Sequence, residues 1–531
     1  VTVTGDARLG TVDGAHSGSL VASAGAEVLR TPLGLSREVE SYDVTFTHLD
    51  RAGNPEPDFF TLVLGLSNQR SRFLSGTGGS VTTRLPKGDY HALSDMGAAG
   101  IANTVLIRPD LEVTGNTTIT FDARTAKPVR ITPPDASATT GVASVLVERT
   151  YEGVPDYLRG VYPSGFPADM AIGQAGPELP ADQAAVIVGA EFNGAPIGDT
   201  PVSYRLSWAE RGRAPTGLVR APAKGELAEV RTRFGPGLPD KTYVHGGNAR
   251  LPGNLLGGVA GMRPVTPLGS AIDYVTTDVQ WEWTFLQQNA SGAEALLLST
   301  PDVYRAGRRY GKSFNEPVFG ITAPASADPY LSRRGDDIRA GLWLFGDKAG
   351  NLGDSMVDKA RTTLFRDGQP VGELPTAGYG GFTVPPGPAE YRLETEAVRS
   401  ADLSPFATTV SGAWTFRSDT VAGGEVRPLP LSVVRFTPKL DDSGAAPAGR
   451  VLPVPLVVEQ QRGADNGRID RIDVEVSFDD GATWSKAPVV GRTALVRNTG
   501  QPGAWASLRV GATDSKGNTV RQTVIHAYRI A

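Results

Sequence analysis

The sequence predicts an all-β chain, a string of tandem β-sandwich modules with very little helix, and three observations predict it. The first is period-2 alternation. Ile472, Val474, Val476 and Phe478 share one face of a strand while Asp473, Glu475 and Ser477 take the other. Val279, Trp281, Trp283 and Phe285 do the same opposite Gln280, Glu282 and Thr284, and Ala506, Leu508, Val510 and Ala512 alternate with Trp505, Ser507 and Arg509. The second is 64 Gly and 40 Pro in 531 residues without a collagen period, which implies many turns between short strands. The third is the scarcity of helical periodicity. The best helix candidate is KGELAEVRTRF, where Leu227, Val230 and Phe234 would share one face.

The turns repeat. A D-x-x-G-N pattern occurs at Asp50, Asp347 and Asp514, and each copy reads as a hairpin tip. Asp and Asn bond their own backbone there, and Gly supplies positive φ. A second pair, LPKGDYHAL (Leu85 to Leu93) and VPPGPAEYRLE (Val384 to Glu394), reads as strand, Pro-Gly turn, then a strand opening on Tyr. That ending is common in transthyretin-like sandwich modules. Turn-rich polar stretches set the expected boundaries. Residues 1–40 read as the end of a fibronectin-like β domain and 41–135 as a transthyretin-like sandwich. A large central β domain follows at 136–330, then a sandwich module at 331–424 and an Ig-like module at 425–531.

Composition excludes several classes of function. Hydrophobic content of 40% with 21% charged residues indicates a globular chain. A net charge of −5 leaves no electrostatic footprint for nucleic acid or an anionic membrane. The absence of cysteine rules out disulfides, thiolate catalysis and Cys-ligated zinc. No apolar run approaches the roughly 18 residues of a membrane span. The opening VTVTGDARLG has no initiator Met, basic region or apolar stretch, and is expected to be the start of a mature or internal fragment.

VSFDDGATW (Val476 to Trp484) holds S-x-D-x-G-x-T-W, the spacing of the Asp box of sialidases and other β-propellers. It occurs once rather than at a blade repeat, so it is expected to be a structural hairpin. No G-x-S-x-G nucleophile elbow is present, and HGGN at His245 reads as a Gly-rich loop. The five histidines, His16, His48, His91, His245 and His526, form no H-E-x-x-H or H-x-H pattern. Calcium is the one cofactor the residues suggest, at Asp465, Asn466 and Asp470, although no full D-x-D-x-D-G loop is present and a solvated turn is the plainer reading. Arg334-Gly335-Asp336 and LPTAG at Leu374 are short enough to match by chance. Trp281, Trp283, Tyr304, Tyr310, Phe314 and Phe319 could line a groove for sugar or peptide, with a sandwich core as the alternative. Asp278 and Glu282 share a strand face about 13 Å apart at ~3.3 Å per residue, too far for paired glycosidase carboxylates.

Several long stretches together resemble the C-terminal, non-catalytic region of large secreted subtilisin-like serine proteases (family S8) of Streptomyces and related actinobacteria. The resemblance is carried by YRLSWAERGRAPTG (Tyr204 to Gly217), YRAGRRYGKSFNEPVFG (Tyr304 to Gly320) and ARTTLFRDGQPVGELPTAGYGGFTVP (Ala360 to Pro385). LPLSVVRFTPKLDDSGAAPAGRVLPVPLVVEQQ (Leu429 to Gln461) and the closing VEVSFDDGATW…ATDSKGNTVRQTVIHAYRI add to it, and GTVDGAHSGSLVAS (Gly10 to Ser23) resembles the end of the fibronectin-like domain that follows such catalytic domains. It covers nearly the whole chain in order, and its motifs mark lineage rather than mechanism. The D-[ST]-G, H-G-T and G-T-S-M blocks of a subtilase triad are not here. Asp442-Ser443-Gly444 spells D-S-G, but in a turn after Pro438 rather than at the end of a buried strand.

The resemblance implies a secreted, extracellular accessory region. Its implied partner is the catalytic domain of the same precursor or polypeptide, and it would also contact protein substrate or the cell surface. The alternative is a free-standing secreted β-sandwich protein that binds carbohydrate or protein through the central aromatic region.

Overall fold

A computed structural model of the chain describes residues 2, 4, 6, 13–97, 103–252, 257–258, 261–326 and 328–531. Part of the expected first module, including Gly10 to Val12 of the fibronectin-like stretch, lies outside the described residues. The chain is all β. Among the described residues helix is confined to single 3-10 turns at Ala123–Thr125, Lys224–Glu226 and Ala422–Gly424. Packing divides the chain into two units. One comprises Val1–Thr132, Val142–Ala190 and Trp208–Ala221, the other Pro133–Gly141, Glu191–Ser207 and Pro222–Ala531.

The first unit opens with a two-stranded antiparallel ribbon, Gly14–Ala24 against Glu27–Arg37. Its sandwich then sets a three-stranded sheet over a seven-stranded one. In the smaller sheet Ser41–Leu49 pairs antiparallel with Ser80–Pro86 and parallel with Thr117–Asp122. Alternation along Ser41–Leu49 sends Val44, Phe46 and His48 inward, where Val44 and Phe46 join Phe59, Tyr90, Leu111 and Phe121 in one core. The central strand of the larger sheet, Thr104–Val113, is apolar on both faces because a second core covers the far side. There Leu93, Val105 and Ile107 meet Val145, Val147 and Leu158. A strand buried on both faces loses its alternation and reads as a continuous apolar run.

In the second unit two sheets enclose the aromatic residues singled out above. Thr200–Arg211 pairs parallel with Ser270–Val275, which pairs with Ala228–Phe234, which pairs parallel with Arg309–Phe314. The facing sheet is built on Thr242–Arg250 and Gln280–Asn289. Further along, a nine-stranded sheet runs through both of the expected modules at 331–424 and 425–531. Thr409–Ser418 hydrogen-bonds to Thr519–Ile530, which in turn pairs with Trp505–Asp514.

The helix expected over KGELAEVRTRF is not formed. Lys224–Glu226 makes one 3-10 turn and Ala228–Phe234 is a strand. Val230, Thr232 and Phe234 point inward while Arg231 and Arg233 point out, a period of two that the spacing of Val230 and Phe234 also satisfies. Neighbouring strands on both sides take up its backbone groups, so sheet pairing overrides the local pattern.

The three D-x-x-G-N turns share one geometry. Asp50 accepts the amides of Ala52 and Asn54 at 2.8 Å each. Asp347 accepts the amide of Asn351 at 3.2 Å, and Asp514 those of Lys516 and Asn518 at 2.9 Å each. The glycines Gly53, Gly350 and Gly517 hold φ of 90°, 92° and 84°. After the two Pro-Gly turns, Tyr90 and Tyr391 are both fully buried, and the Tyr90 hydroxyl donates to the Pro86 carbonyl at 2.6 Å.

A side chain at Gly517 would meet open space, so Gly517→Ala should be costly through φ alone, by about 1–2 kcal/mol. Gly341 has equally open surroundings with an ordinary φ, and Gly341→Ala should be neutral or slightly stabilising. Thermal melts of the two variants check the contrast.

Candidate functional site

The structure brings Trp281, Trp283, Tyr304, Tyr310 and Phe314 together, and it does so in the interior of the second unit. Trp281, Trp283, Tyr304 and Phe314 are buried, and Tyr310 is half-buried. Trp281 and Trp283 leave the same face of Gln280–Asn289 with ring centroids 6.3 Å apart. The Trp283 indole donates to the Tyr304 hydroxyl at 2.8 Å, and Tyr304 packs on Tyr310 at 4.7 Å. The Trp281 indole donates to the Thr276 carbonyl at 2.8 Å. Phe314 meets Phe285 at 6.2 Å, and Phe319 packs separately against Phe406. The cluster residues face one another between two sheets rather than across an open groove.

Against this aromatic wall lies a buried charge cluster that the sequence reading missed. Arg205, 1% exposed, donates from Nε to Asp273 Oδ1 at 2.7 Å and from Nη1 to Glu191 Oε2 at 2.5 Å. Glu191 Oε1 accepts the Gly261 amide at 2.7 Å, and Arg205 Nη1 also reaches the Gly261 carbonyl at 3.0 Å. His245 stacks on Trp283 at 5.3 Å. Its Nδ1 lies 2.9 Å from the Thr284 carbonyl and its Nε2 3.5 Å from Asp273 Oδ2. Burial pushes the Asp273 carboxyl up, but Arg205 and His245 outweigh it and hold it below the usual range. At Glu191 burial wins, and its carboxyl is pushed up to about 7. Two carboxylates thus share one guanidinium, and they are tuned apart. In the sequence Arg205 falls with Ser203 and Ser207, opposite Val202, Tyr204 and Leu206, so alternation assigns it to a polar face and nothing local signals its burial.

Neither His245 nor His526 is placed to act as a general base. A base must hold a free nitrogen against a nucleophile's proton. His245 is 2% exposed, out of a substrate's reach, and its nitrogens face the Thr284 carbonyl and, without a hydrogen bond, Asp273. Those of His526 lie 3.3 Å from the Pro405 carbonyl and 2.8 Å from Asp480 Oδ1. In the first unit His48 Nε2 contacts Thr61 Oγ1 at 2.7 Å, and Thr61 donates to Ser94 at 2.9 Å. All three are fully buried, with His48 stacked 3.6 Å from Phe59. Burial lowers the His48 pKa to about 4, so the ring is neutral and serves the core.

The residues considered for calcium are engaged by other partners. Asp465 is ion-paired with Lys516, and Asp470 with Arg468 at 3.0 Å. The Asn466 side chain joins the Leu431 amide, at 3.0 Å, to the Gln461 carbonyl, at 2.8 Å. Among the described residues no group of three or more His, Asp or Glu side chains converges to hold a metal ion. In the Asp box, Asp479 accepts from Ser477 at 2.6 Å and from the Thr483 amide and hydroxyl at 2.9 and 2.6 Å. These bonds lower its pKa to about 2. Trp484 closes the turn on the Gly481 carbonyl at 2.9 Å, with Arg509 over its ring at 4.1 Å. In the D-S-G stretch it is Asp441 that caps the turn, accepting the Ser443 amide at 2.9 Å and its hydroxyl at 2.7 Å.

An open concavity of the second unit lies on the other side of the sheet that carries Arg205. It is a trough of about 750 Å³. Arg231 and Arg233 project into it from one strand. Arg233 pairs across to Ser270 and Ser313, and Arg231 to Ile272 and Gly311. Thr200 extends the hydroxyl row, 3.0 Å from Ser270.

No protein-family model matches the chain, and no curated protein matches it. Among solved structures it is similar to the Bacillus anthracis TIE protein at 10% identity, with a TM-score of 0.13, over 57% of this chain and 58% of that one. The chain therefore spans less than two thirds of that protein.

Glu191 gives the second unit a pH dependence of definite sign. Its folded pKa of about 7 exceeds an ordinary carboxyl value, so the folded state holds a proton that the unfolded chain releases. That contribution is present below the ordinary carboxyl range and fades as pH rises through about 7. Glu191→Gln should flatten the decline in melting temperature between pH 5 and 8, as read by scanning calorimetry.

Proposed function

We propose that the chain is an accessory, non-catalytic region of a secreted subtilisin-like serine protease. It braces the catalytic domain of the same precursor and contacts protein substrate or the cell surface. The observation that carries this reading is the ribbon Gly14–Arg37. The register places Leu20 and Ala22 on the same face as Leu29, Leu33 and Leu35, while Val21 and Val28 share the other with Ser17, Ser19, Ser23 and Arg30. Leu29 is 75% exposed, and Leu20, Leu33 and Leu35 are exposed as well. A two-stranded ribbon with this much apolar surface in water is marginal by itself. It is completed by a second β surface, as in a sandwich. The stretch Gly10 to Ser23 is also where the sequence resembles the domain adjoining a subtilisin-like catalytic domain. The burial of His245 and the occupied nitrogens of His526 support a role outside catalysis.

The test uses this chain and the catalytic domain encoded in the same precursor, purified separately. The chain alone should neither cleave casein nor react with a fluorophosphonate probe for activated serine. It should associate with the catalytic domain at micromolar concentration, and Leu29→Asp with Leu33→Asp should weaken that association at least tenfold without unfolding the chain. No association at micromolar concentration would sink the bracing role. The free-standing binding protein is favoured by the trough rather than by the aromatic cluster, whose rings are interior.

A further inference from the structure

We infer that the trough over the Ala228–Phe234 strand binds an extended, acidic polypeptide segment. The inference concerns this chain alone and holds whether or not a protease domain accompanies it. Arg231 and Arg233 occupy alternate positions of one strand and point to the same side. Their stems are therefore about 6.6–7 Å apart. Acidic side chains at alternate positions of an extended peptide repeat at that same spacing, so two carboxylates can meet two guanidiniums in register. Each guanidinium presents a planar fork suited to a carboxylate.

Both arginines have capacity left. Arg231 commits Nε to Glu229 at 2.6 Å, which leaves its terminal nitrogens toward the trough. Arg233 is 76% exposed, and its carboxylate neighbour is the equally open Asp442 at 4.0 Å. The anion within the lining, Glu316, is held by Lys348 at 3.0 Å. The charge offered to a ligand is positive, although the chain as a whole carries −5.

The floor suits a peptide more than a sugar. Thr200, Ser270 and Ser313 line it with hydroxyls that can meet peptide carbonyls and amides. No aromatic ring lines it, so the apolar face of a sugar has no platform to stack on. Gly311 sits opposite Arg231, and the space where its side chain would be is empty. A ligand backbone can approach there. The same opening provides a steric test, because Gly311 has an ordinary φ and a larger residue strains nothing.

The experiment is fluorescence anisotropy with a fluorescein-labelled octapeptide of alternating Glu and Thr, titrated with the full chain at low ionic strength. Saturable binding is expected, absent for the Gln–Thr counterpart and weakened by salt. Arg231→Gln with Arg233→Gln should raise Kd at least tenfold. Gly311→Trp, which leaves every charge in place, should do the same, and unchanged melting temperatures would show that both variants fold. Absence of saturable binding overturns the proposal. So does binding that survives both variants, which would place the acidic peptide elsewhere. Preferential binding of polygalacturonate, lost in both variants while the peptide does not bind, would reassign the trough to an acidic glycan.

Discussion

The second unit depends on a buried ion pair. Arg205 and Asp273 lie on neighbouring parallel strands, and each would be costly to bury unpaired. Their bond fixes which residues of the two strands point inward. A slip of one position would turn Arg205 to the opposite face, away from Glu191 and Asp273, and put Tyr204 in its place. The same register sets the outer face, where Thr200, Ser270, Arg233 and Ser313 form one row and Arg231 and Gly311 part of the next. The buried ion pair and the trough are thus on two sides of one sheet. The charged pair inside determines the chemistry displayed outside, although neither residue of the pair touches the trough.

Much of the architecture was legible because alternation is a direct imprint of burial. Trp281, Trp283 and Phe285 fall on one face in sequence and in structure. The Asp turns were equally legible, since the aspartate, the glycine with positive φ and the asparagine are all local. Alternation cannot tell whether an inward face meets a ligand or another sheet. For that reason five aromatic residues read equally well as a groove lining and as a core. The strand Ala228–Phe234 shows the same ambiguity on a smaller scale. Val230 and Phe234 are four apart, a spacing that a helix and a strand both place on one side.

The trough was not legible. Its floor combines Thr200, Ser270, Arg233 and Ser313 from four strands spread over more than a hundred residues of sequence. None of them belongs to a motif. Glu191 and Arg205 join the cluster at Asp273 and His245 in the same non-local way. Asp465, Asn466 and Asp470 show the converse. They are close in sequence, yet the strand at Ile469–Ser477 and the facing turn draw Asp465 to Lys516 and Asn466 to a backbone site.

The place of Thr519–Ile530 bears on how the chain reaches this structure. The strand lies within the nine-stranded sheet rather than at its margin, with Thr409–Ser418 on one side and Trp505–Asp514 on the other. Its pairing with Thr409–Ser418 closes a loop of about a hundred residues, and loop closure of that kind must be met before any contact rewards it. Until it docks, Thr409–Ser418 remains an open margin, and the Ala445–Ala446 bridge has nothing to join. Synthesis from the N-terminus delivers this strand after all the others of its sheet, so the interior of the sheet is the last part of it to leave the ribosome.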